Sequence, residues 1–271
     1  MPDHPGCPDP LAPPAILHGL GTTALPRSVR CYPQVGSTMD VAREHLQDAP
    51  PDVLPMLVLA DEQTDGRGRM QRPWWDARGK NLLFSLAMRP LWLRPAQAPA
   101  LVWMAGVALC EGIAETTGLW PRLKWPNDVL LDEKKVAGLL LESGSSEHAV
   151  TWAVLGCGLN VNAGPPPDIL LRSPSTCLAD ILGCPVLRLP LVRSLLVRLD
   201  TWYTRLQNGE HARLFGAWRA LLATLGQEVQ VETATGVVAG CAEDVEPSGA
   251  LRLRDAAGAT HLITAGDVFL V

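Results

Sequence analysis

Gly66-Arg67-Gly68-Arg69-Met70-Gln71-Arg72-Pro73-Trp74-Trp75 sets three guanidinium groups between the apolar runs Met56–Ala60 and Leu82–Met88. Planar guanidinium forks suit carboxylate or phosphate, and Gly66 and Gly68 let backbone N–H groups approach an anion closely. A solvated basic turn is the alternative reading of such a loop taken alone. Ordering it costs about 1–2 kcal/mol per residue, offset only by Trp74 and Trp75. It is therefore expected to be mobile when empty and closed over an anionic ligand when full. A second stretch, Lys124-Trp125-Pro126-Asn127-Asp128, breaks a strand at Pro126 and leaves Asn127 and Asp128 to project from the break. Lys135 opens an otherwise apolar strand, where a charge is costly without a partner, although taken alone Lys134 and Lys135 read more readily as decoration of a hairpin tip. A third, Gly156-Cys157-Gly158-Leu159-Asn160, lets a ligand lie flat against backbone at a strand end.

The surrounding chain supplies elements to hold these groups. Val29–Tyr32 reads as a strand, and Ser37-Thr38-Met39-Asp40 as the cap of a helix carrying Val41, Ala42, His45 and Leu46. Met56–Ala60 and Asn81–Met88 read as strands on either side of the Gly/Arg loop. A long apolar helix spans Ala96 to about Gly118, with Gly106 and Gly112 as close-packing points, and Arg122–Glu142 reads strand, turn, strand, hairpin, strand. His148–Leu155 is a further strand; Ser175 or Thr176 caps a short helix through Ile181. Leu189–Leu206, with Arg193, Arg198 and Arg205 solvated, and Glu210–Leu222 are structural helices. From Gly226 the texture changes to five short alternating strands, the signature of a small SH3-like barrel. Three segments follow: a Pro-rich tail or strap over 1–26, whose prolines oppose helix, a catalytic domain over 27–224, and the small barrel over 225–271. Gly19-Leu20-Gly21-Thr22-Thr23-Ala24 nearly matches a dinucleotide fingerprint but lacks a preceding strand.

A chain of 271 residues with 47% hydrophobic content can bury a sizeable core. Its net charge of -5 gives no basic footprint for nucleic acid, so an anion site must be local. Seven dispersed cysteines, with no C-x-x-C pair, read as reduced and mostly core residues, and six dispersed histidines show no zinc spacing. No signal peptide is apparent, and the apolar segment Ala98–Cys110 is too short to span a bilayer. A cytoplasmic protein is expected, without membrane or nucleic-acid partners.

Taken together, the motifs resemble those of the biotin protein ligases, and the resemblance covers about residues 29–271. It rests on Gln63-Thr64-x-Gly66-Arg67-Gly68-Arg69, on Lys124-Trp125-Pro126-Asn127-Asp128 with Lys135-x-x-Gly138-Leu139-Leu140-x-Glu142, and on Gly156-x-Gly158-x-Asn160-x-Asn162. Ser37-Thr38 adds a fourth point. The resemblance implies an α+β fold: a mixed sheet with helices on one face, related to lipoate ligases, followed by the small barrel. It also implies a two-step, Mg²⁺-assisted reaction, in which biotin and ATP form biotinyl-5′-AMP and a lysine of a biotin carboxyl carrier protein then takes the acyl group. The usual carrier belongs to acetyl-CoA carboxylase; monomer and homodimer both stay open.

By the same resemblance, Lys135 and Arg69 are the catalytic pair, with Arg67 a further cation on the reacting anions. Ser37, Thr38 and Gln63 would bond the ureido ring of biotin, and Gly66, Arg67, Gly68, Trp74, Gly156 and Gly158 would complete its site. Arg67, Arg69, Arg72, Trp74, Asn127, Lys135 and Asn160 would hold the adenylate, and Asp128 would contact Mg²⁺; Lys124 would support the turn. ATP would be held without a P-loop, since no G-x-x-x-x-G-K-[ST] stretch is present. Two departures stand out: Gln71 where the family usually has Gly, which affects loop closure, and Met39 where Asn is frequent. Residues 1–28 are too short and Pro-rich for the winged helix of repressor-type members, so no operator binding is expected. The competing readings are a lipoate or octanoate ligase, whose loop is Arg-Arg with glycines and a histidine, and a non-catalytic biotin sensor.

Overall fold

The computed structural model describes residues 11–166, 168, 169 and 171–270, the side chain of Leu270 excepted. Residues 1–10, and with them Cys7 and the first four prolines of the N-terminal segment, lie outside this set, as does Pro167 of the proline loop.

In chain order the elements are α1 (Pro13–Leu17), β1 (Ser28–Tyr32), α2 (Thr38–Asp48), β2 (Met56–Ala60), β3 (Leu82–Met88), α3 (Ala100–Thr117), β4 (Arg122–Lys124) and β5 (Asp128–Leu131). Then come β6 (Lys134–Ser145), β7 (Val150–Leu159), α4 (Leu178–Leu182), α5 (Arg188–Gln207), α6 (His211–Leu221), β8 (Glu228–Thr233), β9 (Gly236–Val245), β10 (Leu251–Arg254), β11 (Thr260–Ile263) and β12 (Asp267–Leu270).

β1 to β7 form one sheet in the order β1-β2-β3-β7-β6-β5-β4. Only β1 and β2 run parallel; the other pairs are antiparallel. Because side chains alternate across a strand, Leu57 and Leu59 enter the main core with α3 and α5, whereas Met56 and Val58 join Met39, Ala42 and Leu46 of α2 on the opposite face. The long helices thus share one face as expected, and among the described residues α2 is the helix that backs the other. α3 is almost wholly apolar from Ala100 to Ile113, where it is mostly buried, and turns polar at Glu115 and Thr116, which are exposed; Gly112 lets α5 come close, since a Cβ would sit 2.6 Å from Leu195 Cδ2 and 3.2 Å from Leu195 Cα. With its preceding turn α3 is long and apolar enough to cross a membrane, but 67% of that window is buried inside the protein, as befits a core helix. The buried Arg188 fastens α5 to the sheet, donating to Asp61 Oδ1 at 2.8 Å and Asn81 O at 3.2 Å.

Three local expectations need correction. Prolines do not prevent helix at α1, because Pro13 and Pro14 fill its first turn, where no intrahelical N–H is needed. Residues 11–26 form a strap: Asp200 accepts from the N–H groups of Thr23, Ala24 and Leu25 at 2.9, 2.7 and 2.8 Å. The near-fingerprint therefore binds a carboxylate of the chain itself. Arg193 is not solvated either, since it donates to Ala15 O and Ile16 O; Arg198 pairs with Glu115, and Arg205 stacks on Trp202. Ser175 and Thr176 do not cap α4, whose N-cap is Cys177; Ser175 Oγ instead donates to Lys135 O at 2.9 Å.

β8 to β12 make a second antiparallel sheet in the order β11-β10-β9-β8-β12. All five expected strands are present, but among the described residues the ladder does not close between β11 and β12. The Asp267 carboxylate, at the start of β12, and the preceding Gly266 carbonyl receive arginines of the Gly/Arg loop. The two sheets share one core, in which Leu251, Leu253 and Val268 belong to the same cluster as α3 and α5. Trp125 Nε1 also donates to Gly249 O at 2.9 Å, and Gly249 lies against Trp103.

Candidate active site

Strand register assembles the floor of the site. Asp128 lies beside Gly138, Gly138 beside Gly158 and Gly158 beside Leu83. One row over, Leu140, Gly156 and Ser85 are neighbours. A cavity of about 580 Å³ opens above these rows, within the usual range for small-molecule sites. Its wall includes Ser37, Thr38, Gln63, Arg67, Gly68, Arg69, Arg72, Trp74, Asn127, Asp128, Lys135, Gly156, Gly158 and Asn160, so all but one of the expected site residues converge there. The exception is Gly66, which is packed beneath the loop: a Cβ would meet Gln63 Nε2 at 3.0 Å and Trp74 O at 3.2 Å.

At one end the polar groups are buried and already bonded. Ser37, the N-cap of α2, is 2% exposed, Thr38 3% and Ser85 0%. Thr38 donates from N and Oγ1 to Gln63 Oε1 at 2.8 and 3.0 Å, and shares a 2.9 Å hydroxyl bond with Ser85. Those bonds fix the carboxamide of Gln63, whose nitrogen remains a donor. Gln63 N in turn donates to Asp76 Oδ2 at 3.0 Å, and burial pushes the Asp76 carboxyl above its usual range. The open glycine faces are already covered: Gly156 lies under Met39, and Gly158 under Trp74, whose ring a Cβ would meet at 2.5 Å.

At the other end cations dominate. Lys135 finds the partner its position demands, with Nζ 2.7 Å from Asp128 Oδ1, and lies 5.3 Å from the Trp74 ring centroid. Gly138 is what makes room, since a Cβ there would crowd both Trp74 and Lys135. Arg69 donates to Gly266 O at 3.0 Å and reaches Asn127 Oδ1 at 3.3 Å and Asp267 Oδ1 at 3.4 Å. Arg72 donates to Asp267 Oδ2. Lys124, expected only to support the turn, lines the cavity and reaches Ser173 Oγ at 3.4 Å; burial lowers its ammonium pKa, against the pull of Asp128.

The geometry revises several expected roles. Arg67 offers no free fork: it grips Asp40 with two 2.7 Å bonds and Glu142 with a third of 3.2 Å, so it braces the loop against α2 and β6. Asn127 is occupied at both ends, accepting from Arg69 and donating to Leu139 O at 2.5 Å, and so positions Arg69. Asn160 spends its Nδ2 on Ser175 Oγ and Thr176 O, leaving a buried, unpartnered Oδ1. The Trp74 Nε1 is likewise buried without a partner. The left-handed residues of the loop are Met70 (φ 55) and Gln71 (φ 57), not the glycines. This explains why a glycine suits position 71, where a side chain carries backbone strain. The loop is a small hairpin closed by Gly68 N to Arg72 O and Trp74 N to Gly66 O.

Arg172, Asp267, Ser85 and Asp76 were not singled out from sequence. Ser85 sits on a uniformly apolar strand, where a lone hydroxyl is the available signal; Arg172 and Asp267 carry none, as they meet only through the fold.

Fold and site together define a class: a biotin/lipoate ligase fold with a C-terminal sheet, enclosing a cavity that joins a buried hydrogen-bonding pocket to a cluster of cations. The comparisons with known proteins agree. Residues 32–160 match the Biotin/lipoate A/B protein ligase family and residues 224–271 the Biotin protein ligase C terminal domain. The Biotin--[acetyl-CoA-carboxylase] ligase of Paracoccus denitrificans is 36% identical over 78% of this chain and 89% of its own length. The Bifunctional ligase/repressor BirA of Bacillus subtilis is 30% identical over 92% of this chain and 76% of its own length. The biotin protein ligase from Aquifex aeolicus, solved in complex with biotin and ATP, superposes with a TM-score of 0.74 at 26% identity, covering 90% of this chain and 98% of that one. The chain belongs to the biotin protein ligase family.

Proposed function

We propose that the cavity joins the carboxylate of biotin to the α-phosphate of ATP and then presents the acyl group to a lysine of a carboxylase carrier protein. In the first step a carboxylate oxygen attacks the α-phosphorus and pyrophosphate leaves. In the second the lysine amine attacks the acyl carbon and AMP leaves. Two anions must approach to bonding distance, so cations and exclusion of water are what the protein has to supply. The observation that carries the reading is Lys135 at the seam of the cavity, between the Gly138-Gly158 floor and the arginines. It is held by Asp128 yet lies on the wall that both substrates would share.

The carboxamide nitrogen of Gln63 and the hydroxyl of Ser37, which the internal bonds leave with donor capacity, suit a ureido group; an alkyl chain or dithiolane would offer them no partner, which disfavours lipoate. Trp74 would wall the valeryl chain. Arg69 and Arg72 would hold the phosphates. Among the described residues no three His, Cys, Asp or Glu side chains group into a metal site. A single carboxylate, Asp128, nevertheless fits a Mg²⁺ that travels on ATP phosphates and keeps its waters. That ion would neutralise phosphate charge, while Asp128 would orient it and Lys135 together.

The expected carrier is the biotin carboxyl carrier of acetyl-CoA carboxylase, and the site of action the cytoplasm. The test is mass spectrometry of a carrier domain incubated with the protein, biotin, ATP and Mg²⁺, beside Lys135→Ala. A biotin-sized gain that collapses in the variant is expected. Biotin binding without any gain would favour a sensor, and a gain from lipoate but not biotin would favour the lipoate reading.

A further inference from the structure

Gln63 is held from two sides. The segment before α2 forms a short parallel ladder with the first leg of the Gly/Arg loop: Val35 N donates to Glu62 O at 3.1 Å, Thr64 N to Val35 O at 3.0 Å and Asp65 N to Gly36 O at 2.8 Å. In that pattern Val35 bonds to both neighbours of Gln63, so the N–H of Gln63 itself points away from the ladder and needs another acceptor. Where a third strand would offer a carbonyl, the returning leg of the loop offers the carboxylate of Asp76, whose Oδ2 accepts from Gln63 N at 3.0 Å. Asp76 is half-buried, and burial raises its pKa; the bond from Gln63 opposes that rise and the charge of Glu62 adds to it. A carboxylate is thus kept where its surroundings penalise it, and its bond goes to the residue whose Oε1 accepts from Thr38 N and Oγ1 at 2.8 and 3.0 Å. Asp76, Gln63, Thr38 and Ser85 therefore link the loop, α2 and β3 through contiguous hydrogen bonds. The returning leg is itself tied down where Gly79 N donates to Asp61 O at 2.8 Å. Asp76 lies outside the cavity wall, which Gln63 lines.

We propose that Asp76 is a positioning residue for recognition of the biotin head: by accepting the Gln63 N–H it fixes the backbone from which the Gln63 carboxamide meets Thr38, and so aims the carboxamide nitrogen at the ligand. The proposal rests on the ligase reading and adds to it a residue that touches no substrate. A hydrogen-bonding site discriminates only when its donors are held to within about 0.5 Å by the residues behind them, and Asp76 supplies that support on the side of Gln63 that the ladder leaves open. The partner is a neutral N–H, so what counts is an acceptor oxygen at this place rather than its charge. The effect is confined to one end of the cavity, because Arg69 and Arg72 belong to the separate hairpin that Trp74 N closes through Gly66 O at 2.8 Å.

The experiment is calorimetric titration of the full chain with biotin, without ATP or metal, followed by steady-state kinetics with a carrier domain. Asp76→Ala should weaken biotin binding by about fivefold to twentyfold and raise the KM for biotin by a similar factor, while kcat and the KM for ATP stay within about twofold of the wild type. Asp76→Asn, which keeps an acceptor oxygen, should restore biotin affinity to within about threefold. In a Gln63→Ala background, Asp76→Ala should cost less than about twofold further, since its effect passes through the Gln63 side chain. Circular dichroism of each variant checks that the fold is kept. A folded Asp76→Ala that binds biotin as the wild type does, an Asp76→Asn as weak as Asp76→Ala, or full additivity of the two alanine substitutions would each overturn the proposal. An equal rise in the KM for ATP would overturn it too, by showing a general disturbance of the loop. A wild type that binds no biotin would instead sink the ligase reading on which the proposal stands, so the wild-type titration tells the two failures apart.

Discussion

The two ends of the cavity are built on opposite principles. Around Ser37, Thr38 and Ser85 the polar groups are nearly inaccessible to solvent, and together with the half-buried Gln63 they are locked by short neutral hydrogen bonds. Around Arg69, Arg72 and Lys135 the groups are charged, partly exposed and paired with carboxylates of the chain itself. A pocket of the first kind recognises a neutral group by leaving a misfit unsatisfied. The second attracts anions strongly but must trade one partner for another to bind them. On the function proposed above, specificity for biotin would reside at the rigid end and charge neutralisation at the ionic end.

The largest expected effect lies where the ends meet. Lys135→Ala should slow adenylate formation by about 10²–10³, read as pyrophosphate release, with a much smaller change in biotin affinity measured without ATP. Next comes Gln63→Leu, which leaves the N–H and hydroxyl of Thr38 without their acceptor. Unpaired buried groups cost about 1–3 kcal/mol, so biotin affinity should fall between about tenfold and a hundredfold while ATP affinity holds. An equal loss of both in calorimetry would break the division between the ends.

A third prediction concerns the brace between them. The hydrogen bond and charge of Arg67 hold the Asp40 carboxyl below its usual range, against the opposing effect of burial. Its folded pKa is thus below the unfolded value of about 3.9, so its contribution to stability is full above that value and is lost as pH falls through the folded one. The stability gap between wild type and Asp40→Asn, followed by urea unfolding, should stay constant from about pH 7 to 5 and close only in more acid solution. A gap that closes near neutrality would contradict the pairing. The smallest effect belongs to Gln71→Gly, which relieves a left-handed side chain at the cost of a more flexible unfolded chain. A net shift within about 1 kcal/mol is expected by thermal unfolding, and a loss larger than that would show that the Gln71 side chain is itself needed.

Much of this could be read from the sequence because the site is made of contiguous motifs on strands. Successive side chains alternate between the two faces of each strand, and the register brings Asp128, Gly138 and Gly158 side by side. What sequence did not reveal is how charges pair across distance. Arg67, Arg69 and Arg72 look alike in the loop, yet Arg67 is spent on Asp40 and Glu142 while the others reach β12. Asp267 looks like an ordinary first residue of a short strand, and Asp200 like a polar residue on a helix, although it gathers the N–H groups of the N-terminal strap. Such partners depend on side-chain reach in the folded state, which neither composition nor periodicity encodes. The left-handed pair Met70 and Gln71 was hidden for a related reason, since residues other than glycine seldom adopt that conformation without support from their surroundings.

The most direct test of the division is titration of the wild type with biotin and with ATP separately, as ionic strength rises from about 50 to 300 mM. The account predicts that ATP affinity falls several-fold, as salt screens an exchange between ion pairs, while biotin affinity stays nearly flat. Biotin affinity falling as steeply as that of ATP, or ATP affinity indifferent to salt, would contradict it.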